Sequence, residues 1–191
     1  MKKNLSMMLV LAMLFGMPVW AGNVPAEDEP ARLLSNGIQN LLVFIRQPGN
    51  RNALALEGFV KREIAPAFDF PYMSRWVAGP AARYMNEQQK QRFQAMFTQR
   101  FLKLMVGQLV KFSTQGPIQV LPSRRISDKQ ALVTATLGNR RGYPAHVDFR
   151  MYRSPAGWKV FDVAANGSSV LAYFRRQLAS QVPRRRVGAW R

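Results

Sequence analysis

Apolar residues recur at three- and four-residue steps through the first half of the chain and at two-residue steps through most of the second. Over residues 31–47, Leu34, Ile38, Leu41, Leu42 and Ile45 share one side at helical spacing, which predicts an amphipathic helix closed by Pro48-Gly49. A second helix is expected over 54–64, ending before Pro66. Asp69 suits the N-cap of a short third helix, with Pro71 tolerated in its first turn and Gly79-Pro80 as its stop. The longest helix is expected over 86–112, opened by Asn86 and Gln89 in a pairing that resembles a capping box. Its Phe93, Met96, Phe97, Phe101, Leu104, Met105, Leu109 and Phe112 cover more than a narrow seam, and Gly107 marks a bend or a close approach.

After Gly116-Pro117 the period shortens, and strands are expected over 118–121, 130–137, 145–152 and 157–164. In the third of these, Val147, Phe149 and Met151 share one face, while His146, Asp148, Arg150 and Tyr152 share the other. The turns at 138–142 and 154–157 are short, so neighbouring strands should pair antiparallel. Ser168 is expected to cap a last helix reaching residue 182, with Val170, Leu171, Phe174 and Leu178 on one side and Pro183 as its stop. Helices followed by a run of antiparallel strands predict an α+β fold, with a curved sheet of about four strands covered by the N-terminal helices and one C-terminal helix. Such a sheet leaves room for a conical apolar cavity.

Composition then sets the compartment and narrows the chemistry. Lys2 and Lys3, the apolar run from Leu5 to Phe15, and the small-residue exit at Ala21 have the three-part layout of a secretory signal peptide over residues 1–21. The apolar run is shorter than the roughly 20 residues that a membrane span needs. Residues 22–30, polar and acidic with two prolines, predict a flexible leader. Residues 31–182 form one domain, and 183–191, with Arg184, Arg185, Arg186 and Arg191, a basic tail. The chain has 0 cysteines, which excludes a disulfide framework and a thiol nucleophile. Its net charge of +18 favours acidic partners such as anionic lipid surfaces. Export argues against nucleic acid.

Enzyme signatures are thin. The 1 histidine, His146, stands two residues from Asp148 on the same strand face, and no Gly-x-Ser-x-Gly nucleophile turn is present. There is no glycine-rich phosphate loop and no metal-ligand spacing. An isomerase would need a carboxylate in an apolar pocket, and Asp148 would serve only if its face turned inward.

Two stretches carry a family likeness. The first, residues 62–102, reads REIAPAFDFPYMSRWVAGPAARYMNEQQKQRFQAMFTQRFL; the second, residues 147–178, reads VDFRMYRSPAGWKVFDVAANGSSVLAYFRRQL. They resemble the MlaC family, the toluene-tolerance auxiliary proteins that act as the periplasmic phospholipid-binding component of an ABC transport system. The resemblance rests on the Phe68-Asp69-Phe70 turn, Met73-Ser74-Arg75, and the run Gly157-Trp158-Lys159-Val160-Phe161-Asp162-Val163 followed by Gly167-Ser168. It implies an NTF2-like sheet with helices, a deep pocket for acyl tails and no catalysis. It also implies exchange with an outer-membrane lipoprotein complex and an inner-membrane ABC transporter. The chain departs from the family at Asn166, where an acidic residue is usual, and at Ala172-Tyr173-Phe174-Arg175-Arg176. With such departures the cargo is a phospholipid or a related membrane lipid such as a hopanoid.

A lipid carrier needs an apolar hollow, and 12 Phe and 10 Met suit one, since Met adapts to cargo of varied shape. The expected lining is Phe68, Met73, Val77, Phe97, Phe101, Leu104 and Met105 from the helices. Val133, Val147, Phe149, Met151 and Phe161 join from the sheet, and Val170, Leu171 and Phe174 from the last helix. Arg75, Arg83 and Arg175 are the expected head-group contacts, because the arginine fork bonds phosphate bidentately. Asp69 is read as a cap or a partner of Arg75, and Asp162 as a structural hydrogen-bond acceptor. No cofactor is expected beyond bound lipid. The alternatives are an adaptor subunit of an ABC transporter that binds no lipid, and an NTF2-like isomerase or hydrolase acting on an apolar substrate.

Overall fold

Helix α1, Glu29–Arg46, carries the first apolar stripe; Asp28 caps it through the Ala31 N–H at 3.2 Å. The computed structural model describes residues 28–111, 117–138 and 144–181. The expected signal segment, most of the leader, Phe112, Pro183, the basic tail and the greater part of the 138–142 turn lie outside the described residues. α1 starts two residues earlier than its apolar spacing indicates, because the acidic pair Asp28 and Glu29 supplies the cap and the first turn.

Helix α2, Ala53–Phe59, is capped by Asn52, then widens to one π turn at Val60–Ile64 and tightens to a 3-10 turn at Ala65–Ala67. Helix α3, Phe70–Ala78, starts at Asp69, whose carboxylate accepts the Tyr72 N–H at 2.8 Å. It ends at Gly79 with φ +52 and runs into a 3-10 turn, Gly79–Tyr84. Helix α4, Glu87–Lys111, opens with a reciprocal capping box. The Asn86 side chain accepts the Gln89 N–H at 2.8 Å, and the Gln89 side chain accepts the Asn86 N–H at 2.9 Å.

One antiparallel sheet follows: β1 Ile118–Val120, β2 Arg124–Ser127, β3 Gln130–Leu137, β4 Ala145–Ser154, β5 Gly157–Ala165 and β6 Ser168–Ser169. The path is β1-β3-β4-β5-β6, and β2 shares with β1 the outer side of β3. Two short strands, β2 and β6, thus join the four that alternation predicts. β2 is exposed along its whole length and carries no apolar face to betray it. In the β4–β5 ladder Met151 faces Val160 and Arg150 faces Asp162, which leaves Phe161 as the extra residue of a bulge. The β5–β6 turn places Asn166 (φ +46) and Gly167 (φ +81) in the left-handed region, where Asn and Gly are the residues best tolerated.

Helix α5, Val170–Gln181, closes the fold. Its first turn is capped by Ser169, whose hydroxyl accepts the Ala172 N–H at 3.1 Å, rather than by Ser168, which pairs with Ala165 in β6. α4 packs chiefly on α2 and α3, while α3 also packs on α5 and β5. The outer edge of β5 is covered where Phe68 bridges Val160 and the Asp69 N–H donates to the Val160 carbonyl at 2.9 Å.

Candidate functional site

Strand pleating decides which residues share a surface. Met151, Phe149 and Val147 alternate on β4 and stand opposite Ala131, Val133 and Ala135 of β3, and opposite Val160, Val163 and Ala165 of β5. Trp158 lies two residues before Val160, on the same face, and its indole N–H donates to Glu29 of α1 at 3.1 Å. Helix α1 therefore covers this face, lying against β1, β3 and β5. Its start is fixed a second time where the Ser123 N–H donates to Asp28 at 2.6 Å.

α1 is seated at its two ends. Ala31 is fully buried and Ile45 is 6% exposed, whereas Leu34, Ile38, Leu41 and Leu42 between them are only half-buried. The sheet shows the same gradient. Met151 and Val133 are fully buried, while Phe149, Val147 and Val163 on the same face are half-buried. On α4, Phe97, Phe101, Leu102 and Val106 are buried, but Leu104, Met105 and Leu109 are not fully so. Water thus reaches apolar side chains on the middle of α1, on the covered sheet face and on the last turns of α4.

Around α3, α4 and α5 the packing is filled. Phe68, Phe70, Phe97, Phe101 and Phe174 form one aromatic cluster, with ring centroids 5.2 to 6.4 Å apart. Phe101 touches all four of its partners. Beside it, Tyr72, Tyr152 and Phe161 make a second cluster at 5.4 to 6.1 Å.

The expected lining divides between these regions. Phe68, Met73, Val77, Phe97, Phe101, Val133, Met151 and Leu171 are buried core. Met105, Phe149, Phe161, Val170 and Phe174 pack half-buried against it. Leu104 and Val147 are half-buried beyond the main cluster. The expected lining takes no residue from α1, whose stripe of Leu34, Ile38 and Leu41 is likewise half-buried. Val163 was also omitted; the Phe161 bulge is what brings it opposite Phe149.

Asp69 does not pair with Arg75. Its carboxylate accepts the Tyr152 hydroxyl as well as the Tyr72 N–H, and this bond to a carboxylate, aided by burial, pushes the Tyr152 pKa up to about 12. Asp162 is the acceptor expected of it. It is 2% exposed and takes the Ser169 hydroxyl at 2.7 Å, the Leu171 N–H at 3.2 Å and the Arg150 guanidinium at 3.2 Å. Asp148 accepts the Thr134 hydroxyl at 2.6 Å on the face opposite Phe149, so it does not point among the half-buried apolar residues. Arg75, Arg83 and Arg175 are exposed on the α3–α5 side, with Arg175 5.0 Å over the Trp76 ring. They are not on the face that α1 covers. Gly107 has no heavy atom within 4 Å of its missing Cβ, so it marks no close approach, and α4 runs through it from Glu87 to Lys111. A separate cleft of about 430 Å³ opens between α1 and α2, lined by Ile45, Arg46, Gln47, Pro48, Gly49, Arg51 and Asn52, and it contains none of the expected site residues.

Comparison with known proteins agrees with this architecture. Residues 36–189 match the MlaC protein family. A curated relative, the toluene tolerance protein ttg2D of Pseudomonas putida, is 26% identical over 134 residues, which make up 70% of this chain and 62% of that protein. The chain thus spans less than two thirds of that relative's length. A solved structure of a phospholipid-binding protein from Ralstonia solanacearum, in complex with a phospholipid, shares the fold. It superposes with a TM-score of 0.69 at 24% identity, covering 78% of this chain and 85% of the other.

Proposed function

The chain belongs to the MlaC protein family, and from that premise we propose that it is a periplasmic lipid carrier. In this reading it holds phospholipid acyl chains between α1 and the sheet and shuttles them between an outer-membrane lipoprotein complex and an inner-membrane ABC transporter. Residues 1–21 act as the export signal, and the protein performs no catalysis. The phospholipid-bound Ralstonia solanacearum protein of the same fold supports the cargo class, and family membership supports the transport role.

The observation that carries the reading is the apolar surface left half-buried by the middle of α1 and by Phe149, Val147 and Val163 opposite it. Enclosing a chain of about 16 carbons at ~0.8 kcal/mol per methylene contributes roughly 12 kcal/mol. That is enough to offset association costs without a dedicated polar motif. Asp148 lies across the sheet from this surface, so the isomerase alternative lacks a base where an apolar substrate would sit.

Native mass spectrometry of protein purified from cells tests the reading. Co-purified phospholipid is the expected outcome. Val147→Trp should lower lipid occupancy while unfolding stays cooperative. A protein that arrives without lipid and takes none up from vesicles, yet binds the transporter, overturns the carrier in favour of an adaptor.

A further inference from the structure

The three arginines expected to meet a cargo head group lie on α3, the 3-10 turn after it and α5, with exposed aromatic residues among them. Arg75 and Trp76 end α3, Arg83 and Tyr84 end the 3-10 turn that follows, and Arg175 extends from α5 over the Trp76 ring at 5.0 Å. Gly79 allows this contact: a Cβ there would lie 3.0 Å from the Arg175 guanidinium. Trp76 is 39% exposed and Tyr84 is 88% exposed. Ion pairs among the described residues engage Lys61, Lys90 and Arg150, and none of these three arginines.

We propose that this arginine–aromatic patch is a docking surface for an anionic phospholipid bilayer. Three features favour a bilayer over a protein. Tryptophan and tyrosine settle at the level of lipid head groups, where an apolar ring and a polar edge are both accommodated. Arginine forks match phosphate oxygens. The surplus of 28 basic over 10 acidic residues gives +18, and without Lys2 and Lys3 of the export signal +16, which an extended anionic plane complements more fully than a discrete acidic patch does. The patch differs from the acyl-chain surface under α1, and its role does not depend on what that surface holds.

Co-sedimentation with vesicles of phosphatidylcholine, with and without phosphatidylglycerol, tests the proposal on the full mature chain. Binding should require phosphatidylglycerol and weaken as salt is added. The triple variant Arg75→Glu, Arg83→Glu, Arg175→Glu should bind at least about 100-fold more weakly, on the order of 5-fold per arginine neutralised. Tyr84→Ser should weaken binding by a few-fold and leave the fold intact, since that side chain is almost fully exposed. A control reversing Arg124, Arg125 and Lys129, exposed at β2 and its turn, carries the same charge change and should lose far less. Equal losses in patch and control variants would overturn the proposal by reducing binding to net charge. Absence of vesicle binding in the unaltered protein would overturn it too, and would leave the patch to an acidic protein. Lipid occupancy by native mass spectrometry should be unchanged in the triple variant, so failure of docking and failure of the carrier reading remain distinct.

Discussion

The helices of this molecule are packed to different degrees. On the α3–α5 side, carboxylates tie the first turn of each helix to a strand, Asp162 at the start of α5 and Asp69 at the start of α3 through Tyr152, and an aromatic cluster fills the space between. On the α1 side the start of the helix is tied in the same way, Asp28 to Ser123 and Glu29 to Trp158, and Asn50 and Arg51 donate to the Phe44 and Ile45 carbonyls at its end. The middle of α1 leaves its apolar stripe half-buried. Residue type does not separate the two regions, since Phe, Leu, Val and Met line both. The contrast teaches that similar anchors and similar residue types can leave one apolar stripe filled and another half-buried.

Phe101→Ala should give the largest effect. It removes the ring that touches four other phenylalanines, at a cost of about 3–5 kcal/mol in chemical denaturation. Next, Asp162→Ala should cost about 2–3 kcal/mol, because it strands the buried Leu171 N–H and frees Arg150. Tyr152→Phe should cost about 1–2 kcal/mol and change the alkaline limb of stability. The folded pKa is raised, so the native state keeps its proton longer, and stability falls as pH rises from the ordinary value of 10.0 to about 12. The Phe variant should lack that decline when unfolding is followed across the same range.

Phe149→Ala should have the smallest effect on stability, on the order of 1 kcal/mol, because the side chain is already half-buried. Its effect should appear instead as lower lipid occupancy. A cost equal to that of Phe101→Ala would erase the difference between the two sides and show the α1 face to be ordinary packed core.

Much of this was legible in the chain. Asp69 as a cap, the Asn86–Gln89 capping box and the face shared by Val147, Phe149 and Met151 depend on neighbours within a few residues. β2 was not legible, because its four residues are all exposed and only pairing with β3 makes them a strand. Nor was the cap of α5, where Ser168 and Ser169 are chemically equivalent until the fold turns the Ser169 hydroxyl to the Ala172 N–H and to Asp162.

By itself the sequence determined the order of helices and strands, the face on which each apolar set lies, and the family signature, all of which follow from short-range spacing and backbone preference. Tertiary structure alone decided that Asp69 meets Tyr152 across 83 positions, that Arg175 lies on Trp76, and that α1 is seated at its ends over a half-open sheet. Periodicity states which side of an element is apolar. How closely two such sides approach depends on contacts distant in the chain, and that approach separates a filled core from a half-buried apolar surface.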